Sequence, residues 1–178
     1  FLSNQVFACF PCWMSQEFMV FLWVKIILTF RVEEKNIKLI YFSTNYVYPG
    51  KKGNYKETDS LLPVNSYAWS KLGGESSVQL YKNSLILRVC MTEKPFVHKV
   101  AFSNVKTSFT YHENIAKILF KLINKKGIIN VGGPSSSVYD FARKENKNII
   151  NRKLRKDNKI GLLFNSSIKF AKIKKNIK

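Results

Sequence analysis

The chain has 178 residues and a mass of 20.7 kDa, enough for one domain with a real core. Hydrophobic residues make up 46% and charged residues 23%, with five Pro and eight Gly, which excludes a mainly disordered, collagen-like or low-complexity chain. Three Cys are too few for a disulfide scaffold and suit a reducing compartment; the net charge of +19 rests on 25 Lys and only five Arg, which argues against a reader of nucleic-acid grooves.

Three parts follow one another. Residues 1–31 are oily, with Glu17 and Lys25 the only charges before Arg31. The apolar run Phe18–Phe30 spans roughly 20 Å as a helix, short of a bilayer core of about 30 Å. It lacks the leading positive charge and small-residue end of a signal peptide, so a buried strand or helix is expected and a membrane role is not. Cys9-Phe10-Pro11-Cys12 is a lone C-x-x-C with no second pair to complete a zinc site.

Residues 32–142 read as strands alternating with helices. Ile37–Ser43 (IKLIYFS) is a short apolar run closed by Thr44-Asn45 and then Pro49-Gly50, as a buried parallel strand would be. A helix is expected from about Tyr67 to Lys82, capped by Asn65 or Ser66. Ser84–Cys90 is a second buried strand. Thr110-Tyr111-His112-Glu113 has capping-box spacing and opens a helix through about Asn124, in which Ile115, Leu119 and Leu122 recur on one face. Gly127–Val131 is a third strand, and Ser137 caps a short helix from Val138 to about Lys144. This order indicates an α/β fold with a largely parallel sheet. Residues 143–178 hold 13 Lys or Arg and two acids; their interspersed Ile and Leu predict a solvated face with one or two docked elements.

One constellation carries chemistry. Tyr67-Ala68-Trp69-Ser70-Lys71 places a phenol and an ammonium four residues apart on one helix face. A free Tyr titrates near pH ~10, too high for proton transfer at neutrality, and a neighbouring ammonium favours the phenolate. Trp69, between them, is expected to pack. The hydroxyl pair Ser43-Thr44 ends the first strand, and open parallel sheets bind ligands beyond the carboxyl ends of their strands. A strand-end hydroxyl, an acid/base and an ammonium converging on one carbonyl suit hydride transfer at an oxygen-bearing carbon.

These residues resemble the extended short-chain dehydrogenase/reductases, and within them the dTDP-4-dehydrorhamnose reductase-like sugar-nucleotide reductases. The resemblance rests on Leu39–Gly50 (LIYFSTNYVYPG), Tyr55–Asp59 (YKETD), Pro63–Glu75 (PVNSYAWSKLGGE), Leu85–Arg88 (LILR) and Gly127–Pro134 (GIINVGGP), with Tyr139–Ala142 after them. It covers about Ile37 to Ala142. It implies a partial Rossmann-like, doubly wound parallel sheet with a small C-terminal substrate-binding region. It implies catalytic roles for Thr44, Tyr67 and Lys71, cofactor contacts from Ser43, Tyr67 and Lys71, and substrate contacts from Thr44 and Asn45. Arg88, at the end of a strand, could reach a substrate phosphate, though an ordinary salt bridge is the expected role. Asn45 stands where the subfamily usually has Asp. The implied reaction is reduction of a keto-sugar nucleotide with NADPH or NADH, by a cytoplasmic enzyme of polysaccharide synthesis that could pair as a homodimer. Sugar-nucleotide epimerases and dehydratases share the Tyr-Lys pair, and non-catalytic relatives serve as regulatory subunits. Lys94, Lys99 and Lys106 fall where the family builds its substrate pocket. No glycine-rich turn precedes Ser43, so the half of the family that carries it is expected to be missing, leaving the first strand with an exposed edge.

Overall fold

Four strands with apolar sequences form one fully parallel sheet in the order β1-β2-β3-β8: β1 (Gln5–Ala8), β2 (Lys38–Thr44), β3 (Ser84–Val89) and β8 (Gly127–Val131). The structure is a computed structural model that describes residues 5–8, 33–155 and 163–169. The apolar run Phe18–Phe30 and the two N-terminal cysteines lie outside the described residues. One expectation is corrected: the edge of β2 is covered, because β1 pairs with it in register from Gln5 opposite Lys38 to Ala8 opposite Tyr41.

Side-chain alternation along the strands builds two cores, one on each face. Leu39 and Tyr41 of β2 and Ile86 of β3 pack with Val78 and Tyr81, from helix α1 (Ser66–Gln79) and the turn after it. Ile40, Leu85, Leu87, Val89, Ile129 and Val131 pack on the other face against Ile115 and Leu122 of α2 (His112–Leu122). A helix on each face of a parallel sheet is the doubly wound arrangement.

α1 is short of large apolar residues. Its buried positions are Ala68, Gly74, Glu75, Ser77 and Val78, and small residues there bring the helix close to the sheet. Its start is fixed by Asn65, whose Oδ1 accepts from the Ala68 N–H at 2.8 Å. Asn65→Ala should therefore cost about 1 kcal/mol of unfolding free energy, read as a lower urea midpoint at an unchanged slope. The capping box expected at α2 does not form. Its N-cap is Tyr111, without a side-chain cap bond; Thr110 is drawn into β7 (Thr110–Tyr111), paired with β4 (Met91–Thr92). Ser137 does cap α3 (Val138–Arg143), accepting from the Asp140 N–H at 2.9 Å.

The remaining short strands build the second layer beyond the carboxyl ends of the sheet. β5 (Val100–Phe102) pairs with β10 (Ile150–Arg152), and β6 (Lys106–Thr107) pairs with β9 (Ser136–Ser137). Residues 163–169 dock against β6 and the Gly50–Tyr55 loop. Part of the basic C-terminal stretch is thus integrated into the fold, as its interspersed apolar residues suggest.

Candidate active site

β2 delivers Ser43 and Thr44 at its end, both buried. Ser43 shares the strand face of Leu39 and Tyr41, the face covered by α1. Its Oγ has no hydrogen-bond partner among the described residues. An unpaired buried hydroxyl is costly, and functional sites are where such groups are tolerated. Thr44 caps the 3-10 turn Asn45–Val47, its Oγ1 accepting from the Tyr46 N–H at 3.3 Å.

α1 brings Tyr67 and Lys71 to the same end of the sheet. The Lys71 ammonium donates to the Phe42 carbonyl at 3.1 Å. It also stands 5.5 Å from the Tyr41 ring centroid and 5.9 Å from that of Tyr67, within cation–π range. The Tyr41 hydroxyl in turn donates to the Lys71 carbonyl at 3.2 Å. The i, i+4 pair read from the sequence is therefore held against β2 at Lys71, through both its ammonium and its carbonyl. Trp69 does not pack as expected: it is half exposed, on the solvent side of the same helix.

Beside this pair lies a cavity of about 530 Å³ with Tyr46, Phe96, Phe102 and Phe109 among its walls. Thr107 and Ser166 line its buried end, and His98 and Lys99 line its exposed side. Tyr46 links the cavity to the Tyr-Lys pair. Burial pushes its phenol up to about 12, with the Cys90 thiol and the Tyr67 phenol adding to the effect. Tyr46 thus stays a neutral hydrogen-bonding group through the physiological range. Cys90, fully buried and bonded to Thr107 at 3.0 Å, is pushed by burial up to about 11 and is an inert thiol.

Three sequence expectations are sharpened here. Lys99 is the lysine of the 91–107 stretch that lines the cavity, whereas Lys94 is 3.7 Å from Glu145 and Lys106 is exposed outside the lining. Arg88, for which the sequence offers a substrate phosphate or an ordinary salt bridge, is turned inward and makes the salt bridge. Its guanidinium is spent on Glu75 (2.7 Å from Nη2), on the Tyr48 hydroxyl (2.8 Å) and on the Glu57 carbonyl (3.2 Å). Asn45 is also buried, its Nδ2 donating to the Ser166 carbonyl at 2.9 Å. The cavity aromatics escaped the sequence reading because residues 46, 96, 102 and 109 share no period; the Tyr46 that follows Ser43-Thr44-Asn45 was the one available signal.

Comparisons with known proteins bear on the family and the fold. The profile of the RmlD substrate binding domain matches residues 27–148. A dTDP-4-dehydrorhamnose reductase of Aggregatibacter actinomycetemcomitans is 33% identical over 112 residues, which cover 57% of this chain and 32% of that protein. The chain thus spans about a third of that curated relative's length. Among solved structures, a hypothetical dTDP-4-dehydrorhamnose reductase from Sulfolobus tokodaii superposes with a TM-score of 0.78 at 23% identity, over 97% of this chain and 73% of that one. A dTDP-4-dehydrorhamnose reductase from Bacillus anthracis, solved in complex with NADP, gives 0.76 at 20% identity over 97% and 74%. Both share the fold.

Proposed function

The chain belongs to the RmlD substrate binding domain family, and from that premise we propose that it carries the substrate-binding and proton-transfer part of an NAD(P)H-dependent reductase of keto-sugar nucleotides. The observation that supports this reading is that Lys71, with Tyr67 beside it, is tied to β2 two residues before Thr44, while Tyr46, two residues after Thr44, lines a cavity with aromatic walls and with His98 and Lys99 on its exposed side. Aromatic walls suit a nucleoside base, and an ammonium such as that of Lys99 suits a diphosphate.

A nicotinamide cofactor, when bound, supplies the hydride to the carbonyl carbon. Tyr67 gives its phenolic proton to the carbonyl oxygen, and the Lys71 ammonium beside it favours the phenolate left behind. The Thr44 hydroxyl orients the substrate oxygen. The nicotinamide end of a dinucleotide fits the residues present: the Ser43 Oγ of β2, unpartnered among the described residues, and the Lys71 ammonium of α1 are polar groups that could hold it. For the pyrophosphate the sequence offers no glycine-rich turn before β2, since its first glycine is Gly50. Among the described residues no helix is long and apolar enough to cross a membrane, and a cytoplasmic setting, where reduced nicotinamide cofactors are regenerated, accords with the reaction.

The test is binding. Energy transfer from the three Trp of the chain reports NADPH, and isothermal titration calorimetry reports dTDP, each added separately. Saturable dTDP binding is expected, unchanged within about twofold by Lys71→Ala, together with NADPH binding weakened roughly tenfold or more by that substitution, as loss of a charged hydrogen bond implies. A folded chain that binds no nucleoside diphosphate would overturn the reading.

A further inference from the structure

The segment Leu163–Lys169 lies far from Thr44 in sequence, yet it touches the turn that Thr44 opens. It is stitched to the body by backbone bonds and by the side chains of Asn45, Ser108, Asn165 and Ser167. The Asn165 N–H donates to the Gly50 carbonyl at 2.9 Å, the Ser166 N–H to the Lys106 carbonyl at 3.0 Å, and the Lys169 N–H to the Tyr55 carbonyl at 2.7 Å. Gly50 and Gly53 make the approach feasible. Both have positive φ, 70° and 72°, and a Cβ at either would collide with Leu163 or Asn165.

Ser166 is the centre of this contact. It is buried, it lines the cavity, and its Oγ donates to Thr107 Oγ1 at 3.3 Å. Its carbonyl accepts from Asn45 Nδ2 at 2.9 Å. A carbonyl oxygen only accepts, so the Asn45 carboxamide is fixed with its nitrogen toward the segment. Its Oδ1 then faces Thr44 Oγ1, 3.5 Å away. Only a side chain with a donor can make this tie, so an Asp here, the residue the family resemblance leads one to expect, would set a carboxylate against a carbonyl.

We infer that residues 163–169 form a strap that is one wall of the substrate cavity, latched to the Thr44 turn by Asn45. Asn45 is a positioning residue for Thr44, acting through the strap rather than on the substrate. The link to catalysis rests on the reading of the cavity given above; the latch itself does not.

Amide hydrogen exchange of the full chain, with Asn45→Asp beside it, tests both halves. The variant is isosteric and lacks the donor. Exchange of the Ser166 and Ile168 amides should rise at least about tenfold, as loss of a buried hydrogen bond implies, while amides of β3 and β8 keep their rates. dTDP should slow the same strap amides in the unaltered chain, and this protection should be lost in the variant even where dTDP still binds. A merely structural Asn45 would move exchange throughout the sheet and leave no ligand-dependent change confined to the strap. Unchanged strap exchange in Asn45→Asp overturns the latch, and bound dTDP that leaves the strap unprotected overturns the wall. Should dTDP not bind, the functional reading fails separately. The wall is then decided by 8-anilinonaphthalene-1-sulfonate, which needs only apolar lining: protection of the strap by the dye supports it, and none overturns it.

Discussion

Arg88→Leu should destabilise the chain by about 3–5 kcal/mol, a large share of the 5–15 kcal/mol typical of a domain. The cost comes from what is left behind. Glu75 is fully buried at the centre of α1, and Arg88 is 2% exposed on β3. Two guanidinium nitrogens grip the carboxylate, Nε at 3.0 Å and Nη2 at 2.7 Å, and Nη1 turns to Tyr48. Burial works against the Arg88 charge, but hydrogen bonding and attraction from Glu75, with Tyr48 added, hold its pKa above the ordinary guanidinium value. The pair therefore keeps its cation at every pH a protein survives. Removing only the arginine strands a carboxylate in an apolar layer. The double variant Arg88→Leu, Glu75→Leu should recover most of the loss, because replacing both partners of a buried pair is often close to neutral. Recovery will be incomplete, since the Tyr48 hydroxyl and the Glu57 carbonyl lose a donor. Urea unfolding of the three variants measures this directly. A double variant as unstable as the single one would place the cost in packing rather than in the stranded charge.

The same network shows what a sequence displays and what it hides. Strands β2, β3 and β8 were legible as apolar runs bounded by turn residues, and α1 was legible from its cap and from Tyr67 and Lys71 at helical spacing. Each signal is local: period two, period four, or one side chain folding back on nearby backbone. Arg88 was readable as a charge on a strand, but its partner is 13 residues away on another element, and nothing in the spacing selects Glu75. The strap was hidden for a different reason. Part of its bonding is backbone to backbone, which any residue but proline can make, and its side-chain bonds join residues 59 to 121 positions apart, which no spacing signals. Its only trace is permissive, two glycines at positive φ in the Gly50–Tyr55 loop. The pairing of β1 with β2 was hidden likewise, because Gln5–Ala8 is less conspicuous than the apolar run that follows it.

Within the functional reading, Tyr67→Phe should lower turnover of a keto-sugar nucleotide at saturating NADPH by about 10²–10⁴-fold, the usual worth of a positioned proton donor. Binding of dTDP should stay within about twofold, since the substitution removes one hydroxyl and leaves the cavity walls intact. Among the described residues, Tyr46, Thr44, Cys90 and Lys71 are poor replacements as the proton donor. Tyr46 is close, but burial holds its phenol at about 12, so it is too weak an acid near neutrality to give up its proton. The Thr44 hydroxyl is an orienting donor and is far too weak an acid to complete the transfer. Cys90 is held near 11 by burial and is engaged with Thr107. The Lys71 ammonium donates to the Phe42 carbonyl at 3.1 Å and stands 5.9 Å from the Tyr67 ring centroid, where it serves the phenolate rather than the carbonyl oxygen. A hydride can still be delivered to the carbonyl carbon in the variant, but the alkoxide it creates must wait for a proton from water. Loss of kcat with KM nearly unchanged is the signature of a group needed only in the transition state. Equal loss in dTDP affinity would instead make Tyr67 part of the cavity wall and return the proton to another donor.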